Sequence, residues 1–187
     1  MNQFFLRLFD LILSVLGVLI FSPLFLILLI IGYFDTGSPI FFQERVGQYQ
    51  KKFFLMKFRS MDINTQSIAT HLIQSSSITK WGAFLRKTKL DELPQILNVL
   101  KGEMSFVGPR PNLFSQSELI EERSRRNIYS VCPGITGLAQ IKKIDMSAPH
   151  LLAETDAMMI AEMNVLSYFK YILLTVSGSG FGDRVKY

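Results

Sequence analysis

At 187 residues, with 49% hydrophobic side chains and a formal net charge of +5, the chain is about one domain long and favours anionic partners. Its one cysteine, Cys132, excludes an internal disulfide or a CxxC metal site. The sequence also lacks GxxxxGK[ST], GxGxxG and His/Cys metal spacings, and its basic charge comes without a recognition helix or an aromatic-basic RNA motif, so no nucleic-acid partner is expected.

The first element is apolar. Arg7 and Asp10, at i and i+3, can pair where it begins. Residues 11–34 carry no charge and as one helix would cover about 36 Å, enough to cross a bilayer. The run is too long for a signal-peptide core and ends in Tyr33-Phe34-Asp35, without a small-residue cleavage site. Pro23 removes a backbone donor in mid-run, and the Ser22 hydroxyl can serve the freed carbonyl. Two topologies follow: a kinked spanning helix, or two half-helices of about 18 Å each that turn back within one leaflet. Arg7 on one side and Arg45, Lys51, Lys52 and Lys57 on the other favour both ends on the cytoplasmic face.

Asp35 to Pro39 is a turn. Residues 40–62, β-branched and aromatic around Gly47, read as extended pieces or a hairpin. Residues 63–78 are Ser-, Thr- and Gln-rich and read as a loop, with His71 solvated in it. Trp81 to Lys87 forms a short amphipathic helix that suits a membrane surface or a domain core equally. A helix is expected from about Asp91 to Lys101, tolerating Pro94 in its first turn and stopping at Gly102. Gly108-Pro109-Arg110-Pro111 is a rigid turn. Ser115 to Arg126 reads as a charged surface helix, Pro133 to Gly137 as a tight turn, and residues 151–176 as mostly helical.

The chemistry concentrates between Lys89 and Pro111. Asp91 and Glu92 lie where a helix dipole favours negative charge, and side chains about 100° apart cannot serve one ligand equivalently. One can attack while the other orients it or holds a metal; helix capping alone is the bland alternative. Arg110, its backbone fixed by flanking prolines, is the leading phosphate clamp, with Arg86, Lys57 and Arg59 as further candidates.

These residues carry a resemblance that runs over nearly the whole chain. RLFD at Arg7–Asp10, the Ser22-Pro23 pair, QERVG at Gln43–Gly47, KFRSM at Lys57–Met61, RKTKLDELPQILNVLKGEMSFVGPRP at Arg86–Pro111 and PGITGLAQ at Pro133–Gln140 resemble the bacterial sugar transferases known as monotopic phosphoglycosyl transferases. The resemblance implies transfer of a phosphosugar from a UDP-sugar to polyprenyl (undecaprenyl) phosphate with release of UMP, at the first membrane step of glycan assembly. It implies Asp91 as a covalent nucleophile, Glu92 beside it with Mg²⁺, and Arg110 on phosphate. A substrate pocket is expected around Pro109, Thr136, Gly137, Gln140 and Asp156.

The expected fold is a helix-rich α/β (α+β) domain at residues 37–187. A re-entrant anchor precedes it at residues 1–36, broken at Ser22-Pro23, with interfacial amphipathic helices, membrane lipids as partners and a site on the cytoplasmic face of the inner membrane. Departures begin after Gln140. Lys142-Lys143-Ile144 stands where Asn-Gly-Arg is common. Met159 replaces the tyrosine of D-x-x-Y begun by Asp156, and Asn164 and Tyr168 fall where serine and aspartate are usual. These changes leave the upstream chemistry intact and open the sugar specificity, for which residues 141–160 are the expected determinants. The rival class is a non-enzymatic membrane-tethered, nucleotide-binding scaffold, which needs the basic face but no acidic pair beside Arg110.

Overall fold

A computed structural model of the protein describes residues 3–63, 65 and 77–178. His71 and most of the loop expected over 63–78 lie outside the described residues. The first element, α1 (Gln3–Thr36), is a 34-residue helix that carries on through Pro23, so the expected division into two half-helices is not seen as an interruption. The reason is local. Pro23 cannot donate to the Leu19 carbonyl, four residues back, and the Ser22 hydroxyl donates to that same oxygen at 2.9 Å.

One stripe of α1, running through Asp10, Ser14, Leu28 and Gly32, is buried against the rest of the chain. The opposite side exposes large apolar residues from Phe4 to Phe34. The contacts extend to both ends. Arg7 donates to the carbonyls of Val99 (2.6 Å) and Leu100 (2.9 Å). Asp10 accepts from Ser105 Oγ (3.0 Å), Phe106 N (3.0 Å) and the Tyr168 hydroxyl (2.7 Å). The expected Arg7–Asp10 pair is therefore replaced by separate partners, since a buried carboxylate needs several donors at once. At the other end Leu28 packs with Phe58 and Leu85.

The hairpin reading of 40–62 holds. Strands β1 (Ile40–Val46) and β2 (Lys52–Phe58) pair antiparallel, from Ile40 opposite Phe58 to Val46 opposite Lys52. Phe53 and Leu55 of β2 meet Val99 and Met104 in one small core. Helix α2 (Lys80–Thr88) is capped by Thr79, whose side chain accepts from Gly82 N, and ends at Lys89 in a left-handed conformation. A 3₁₀ turn over Leu90–Glu92 follows, and α3 runs only from Gln95 to Lys101. The helix expected from Asp91 thus starts four residues late, because Pro94 takes the cap position. Its stop is as expected, at Gly102 with φ 87°.

Strand β3 (Ser105–Val107) pairs in parallel with β4 (Gly134–Thr136), Ser105 opposite Gly134 and Val107 opposite Thr136. β4 corrects the reading of Pro133–Gly137 as a turn. Gly134 and Gly108 approach so closely that a Cβ on Gly134 would lie 2.0 Å from Gly108 N, which explains glycine in place of a strand-forming residue. Helices α4 (Ser117–Arg125), α5 (Leu138–Ile141), α6 (Pro149–Ala161) and α7 (Val165–Val176) complete the mixed helix-and-sheet fold. An Asn164–Ser167 capping box starts α7.

Candidate active site

Asp91 and Glu92 sit on the 3₁₀ turn that joins α2 to α3. Asp91 is buried, 5% exposed. Glu92 accepts from Arg110 Nη2 at 2.8 Å, and Lys57 Nζ lies 3.7 Å from the same oxygen. All three side chains are largely shielded from solvent, at 11%, 19% and 9% exposed for Glu92, Arg110 and Lys57. Charges this poorly solvated interact more strongly than surface ions and are held together by one another. Three side chains from separate parts of the chain are thereby joined: Lys57 from β2, Glu92 from the turn, and Arg110 from the loop after β3, with Asp91 the chain neighbour of Glu92.

Arg86, on the last turn of α2, donates through Nε to Ser60 Oγ at 2.8 Å. Its buried Nη1 has no hydrogen-bond acceptor among the described residues. A buried guanidinium donor without an acceptor is costly, and an anionic oxygen would satisfy it. Arg59 is held elsewhere: Nε donates to Ser38 O at 2.8 Å and the guanidinium stacks 5.4 Å from the Phe41 ring centroid. Of the four cations expected to bind phosphate, the geometry gathers Lys57 and Arg110 on Glu92 and leaves Arg86 with a donor to spare.

The Arg110 loop is held from below. Gly108 N donates to Thr136 O and Gly134 N to Pro109 O, each at 2.9 Å, locking the loop entrance to β4. Arg45 donates to Pro111 O at 3.0 Å. Arg123 Nη1 donates to Arg110 O at 2.8 Å and to Asn112 Oδ1 at 2.9 Å, and its Nε and Nη2 grip Asp156 Oδ2 at 3.1 and 2.6 Å. The Tyr129 hydroxyl, its pKa pushed up by burial, also donates to Asn112 Oδ1.

The reading of α4 as a charged surface helix holds, with Arg123 as the charge that departs from it: it is 1% exposed and faces inward. Nothing in a run of Glu and Arg residues separates it from Arg125 and Arg126, although its i+4 spacing from buried Leu119 places it on the inner face. Asp156, expected in a substrate pocket, is fully buried on Arg123. Burial raises its pKa beyond what Arg123 offsets. It reaches the loop through Arg123 and the Arg110 carbonyl.

Thr136 is also buried and shares a hydrogen bond with Thr175 of α7. Gly137 caps α5 against the Gly108 carbonyl. Gln140 is 8% exposed, with Nε2 on Ile135 O at 3.4 Å and Oε1 without a partner among the described residues.

Among the described residues no group of three acidic, His or Cys side chains forms a protein cage for a metal. Magnesium needs no such cage, since it commonly takes one or two carboxylates and completes its shell with water and substrate phosphates. Asp91 and Glu92 are the residues that would hold it.

A family model described as "Bacterial sugar transferase" matches residues 1–180. The chain is 37% identical over 171 residues to a Bacillus subtilis protein described as an uncharacterized sugar transferase, EpsL, covering 91% of this chain and 84% of that protein. It is 38% identical to the UDP-glucose:undecaprenyl-phosphate glucose-1-phosphate transferase of Escherichia coli, covering all of this chain and 42% of that one. It is also 38% identical to the undecaprenyl-phosphate galactose phosphotransferase of Salmonella typhimurium, covering 75% of this chain and 33% of that one. The chain thus spans about a third to two-fifths of the length of these two longer relatives.

Proposed function

The chain belongs to the bacterial sugar transferase family, and we propose that it transfers a sugar-1-phosphate from a UDP-sugar to undecaprenyl phosphate, with release of UMP, in bacterial glycan assembly. The observation that carries this reading is the shielded Glu92–Arg110–Lys57 cluster immediately beside buried Asp91. A tethered scaffold would need the cations but no shielded acidic pair beside them.

In the proposed mechanism the Asp91 carboxylate attacks the sugar-bearing phosphorus of the donor. A new O–P bond forms, the bond to the UMP phosphate oxygen breaks, and UMP leaves with the electron pair. An oxygen of the lipid phosphate then attacks the same phosphorus and displaces the carboxylate, which returns to its starting state. Splitting one displacement in this way is the usual gain of covalent catalysis. Arg110 and Lys57 counter the charge that develops on the diphosphate, and Arg86 offers its unused Nη1 to a phosphate oxygen. Glu92 keeps the two cations in register. Magnesium, when bound at Asp91 and Glu92, would neutralise further diphosphate charge. Residues 141–160 are proposed to shape the sugar pocket; exchanging them with a relative's stretch and finding no change of donor preference would discount that role.

The same reading places the protein on the cytoplasmic face of the inner membrane, with α1 dipping into one leaflet. In its support, α1 touches one and the same domain near both ends, through Arg7 and Asp10 and again through Leu28 and Gly32. A spanning helix could do so only on one side of the bilayer. The apolar residues left exposed on α7, Leu166, Leu173 and Val176, and Phe84 on α2 favour contact with lipid as well. The test is UMP release from a panel of UDP-sugars, with Mg²⁺ and lipid acceptor. Release with at least one donor is expected, and none across the panel would overturn the assignment.

A further inference from the structure

An apolar groove of about 270 Å³ lies between the middle of α1 and the segment that follows the acidic pair. Gly17, Ser22 and Leu26 line one wall; Leu93, Ile96 and Leu97 line the other. Its one polar group, the Ser22 hydroxyl, is already engaged by the Leu19 carbonyl, so nothing in the groove asks for a polar ligand. Gly17 keeps it open, since even a Cβ there would meet Ile96 Cδ1 at 3.3 Å. Leu26, at the rim, is 59% exposed.

The position of the groove bears on its occupant. Leu93 directly follows Glu92, and its Cα lies at most about 7 Å along the chain from that of Asp91. The wall formed by Leu93, Ile96 and Leu97 continues the chain directly from Asp91 and Glu92, so the groove adjoins the acidic pair and lies within reach of the first carbon atoms of a molecule whose phosphate is held there. A prenyl phosphate joins its hydrocarbon to the phosphate through a single oxygen and fits this spacing with one chain. A glycerophospholipid interposes a glycerol and brings two chains, which a single groove of this volume does not match. The volume falls just below the roughly 300–1,000 Å³ of pockets that take drug-sized ligands, so it holds a section of a chain and not the whole of one.

We infer that this groove between α1 and α3 binds the phosphate-proximal isoprene units of the lipid acceptor, while the remainder of the chain leaves past Leu26 into the surrounding lipid. The inference rests on the acceptor chemistry proposed above. It gives Pro23 and Ser22 a further role, because the helix they shape forms one wall of the acceptor site. It also implies that acceptor affinity rises with chain length only until the groove is filled.

The test is photo-crosslinking of the full chain in nanodiscs with a polyprenyl phosphate that carries a diazirine on its first or second isoprene unit. Adducts are expected on the peptides holding residues 17–29 and 93–97. Excess undecaprenyl phosphate should suppress them, and excess phosphatidylglycerol should not. Leu26→Trp, which fills the rim without entering the core, should raise the KM for undecaprenyl phosphate by about tenfold or more. Adducts confined to other elements, or equal competition by phosphatidylglycerol, would overturn the inference; the second result would make the groove a phospholipid site. UMP release in the same preparation separates this outcome from failure of the assigned activity, since a preparation that releases UMP but labels elsewhere loses only the groove.

Discussion

Asp156→Ala leaves the Arg123 guanidinium buried without its carboxylate. Removing one partner of a buried pair costs about 3–5 kcal/mol, a large share of the roughly 5–15 kcal/mol that holds a domain together. For a chain of this size that is a fall in Tm of about 6–20 °C. The double variant Arg123→Met/Asp156→Leu removes both charges and substitutes apolar volume, so most of that loss should return. Activity should not return with it. Methionine cannot donate to the Arg110 carbonyl or to Asn112 Oδ1, the two contacts that Arg123 Nη1 makes at 2.8 and 2.9 Å. A shift of about 1 Å in a substrate-positioning group can cost about 10²-fold in rate, and a fall of that order in kcat/KM is expected. Thermal unfolding in detergent and UMP release measured on the same preparations give both readouts. A double variant as active as the wild type would refute the claim that Arg123 positions the Arg110 loop.

Glu92→Gln keeps the shape of the side chain but removes the charge that gathers Arg110 and Lys57, and kcat should fall about 10²-fold in steady-state UMP release. Ser22→Ala orphans the Leu19 carbonyl in an apolar setting and should cost about 1–3 kcal/mol in thermal unfolding. The same change in a Pro23→Ala background should cost far less, because residue 23 then supplies a backbone donor to that oxygen. Gly134→Ala drives a methyl group to 2.0 Å from Gly108 N and should abolish folding, read as loss of a monodisperse peak in detergent. Burial raises the pKa of Tyr129 and Tyr168 above the ordinary value of about 10. Their protonated state therefore contributes stability below pH 10 that is lost as pH rises further. Tyrosinate absorbance should lag free tyrosine and appear together with alkaline unfolding.

Much of the candidate site was legible because its residues sit in local signals. Asp91 and Glu92 stand just ahead of Pro94, Arg110 stands between two prolines, and Gly102 ends a helix, so short-range chemistry marked all of them. The hairpin was legible from the same kind of evidence. What sequence missed depends on long-range contact. Arg123 looks like any arginine of a charged helix until α6 brings Asp156 to it. β4 is only three residues long and was hidden by the turn-forming glycines that its close approach to Gly108 requires. Asp10 reads as an interfacial charge, yet its partners Ser105 and Tyr168 arrive from about 95 and 158 residues away.

The most direct measurement is intact mass of the purified chain after incubation with UDP-sugars and Mg²⁺ in the absence of lipid acceptor. A mass increase equal to one phosphosugar is expected, present with the preferred donor and absent in Asp91→Asn. UMP release on adding undecaprenyl phosphate, with no adduct under any donor, would contradict it and remove Asp91 from the role of nucleophile.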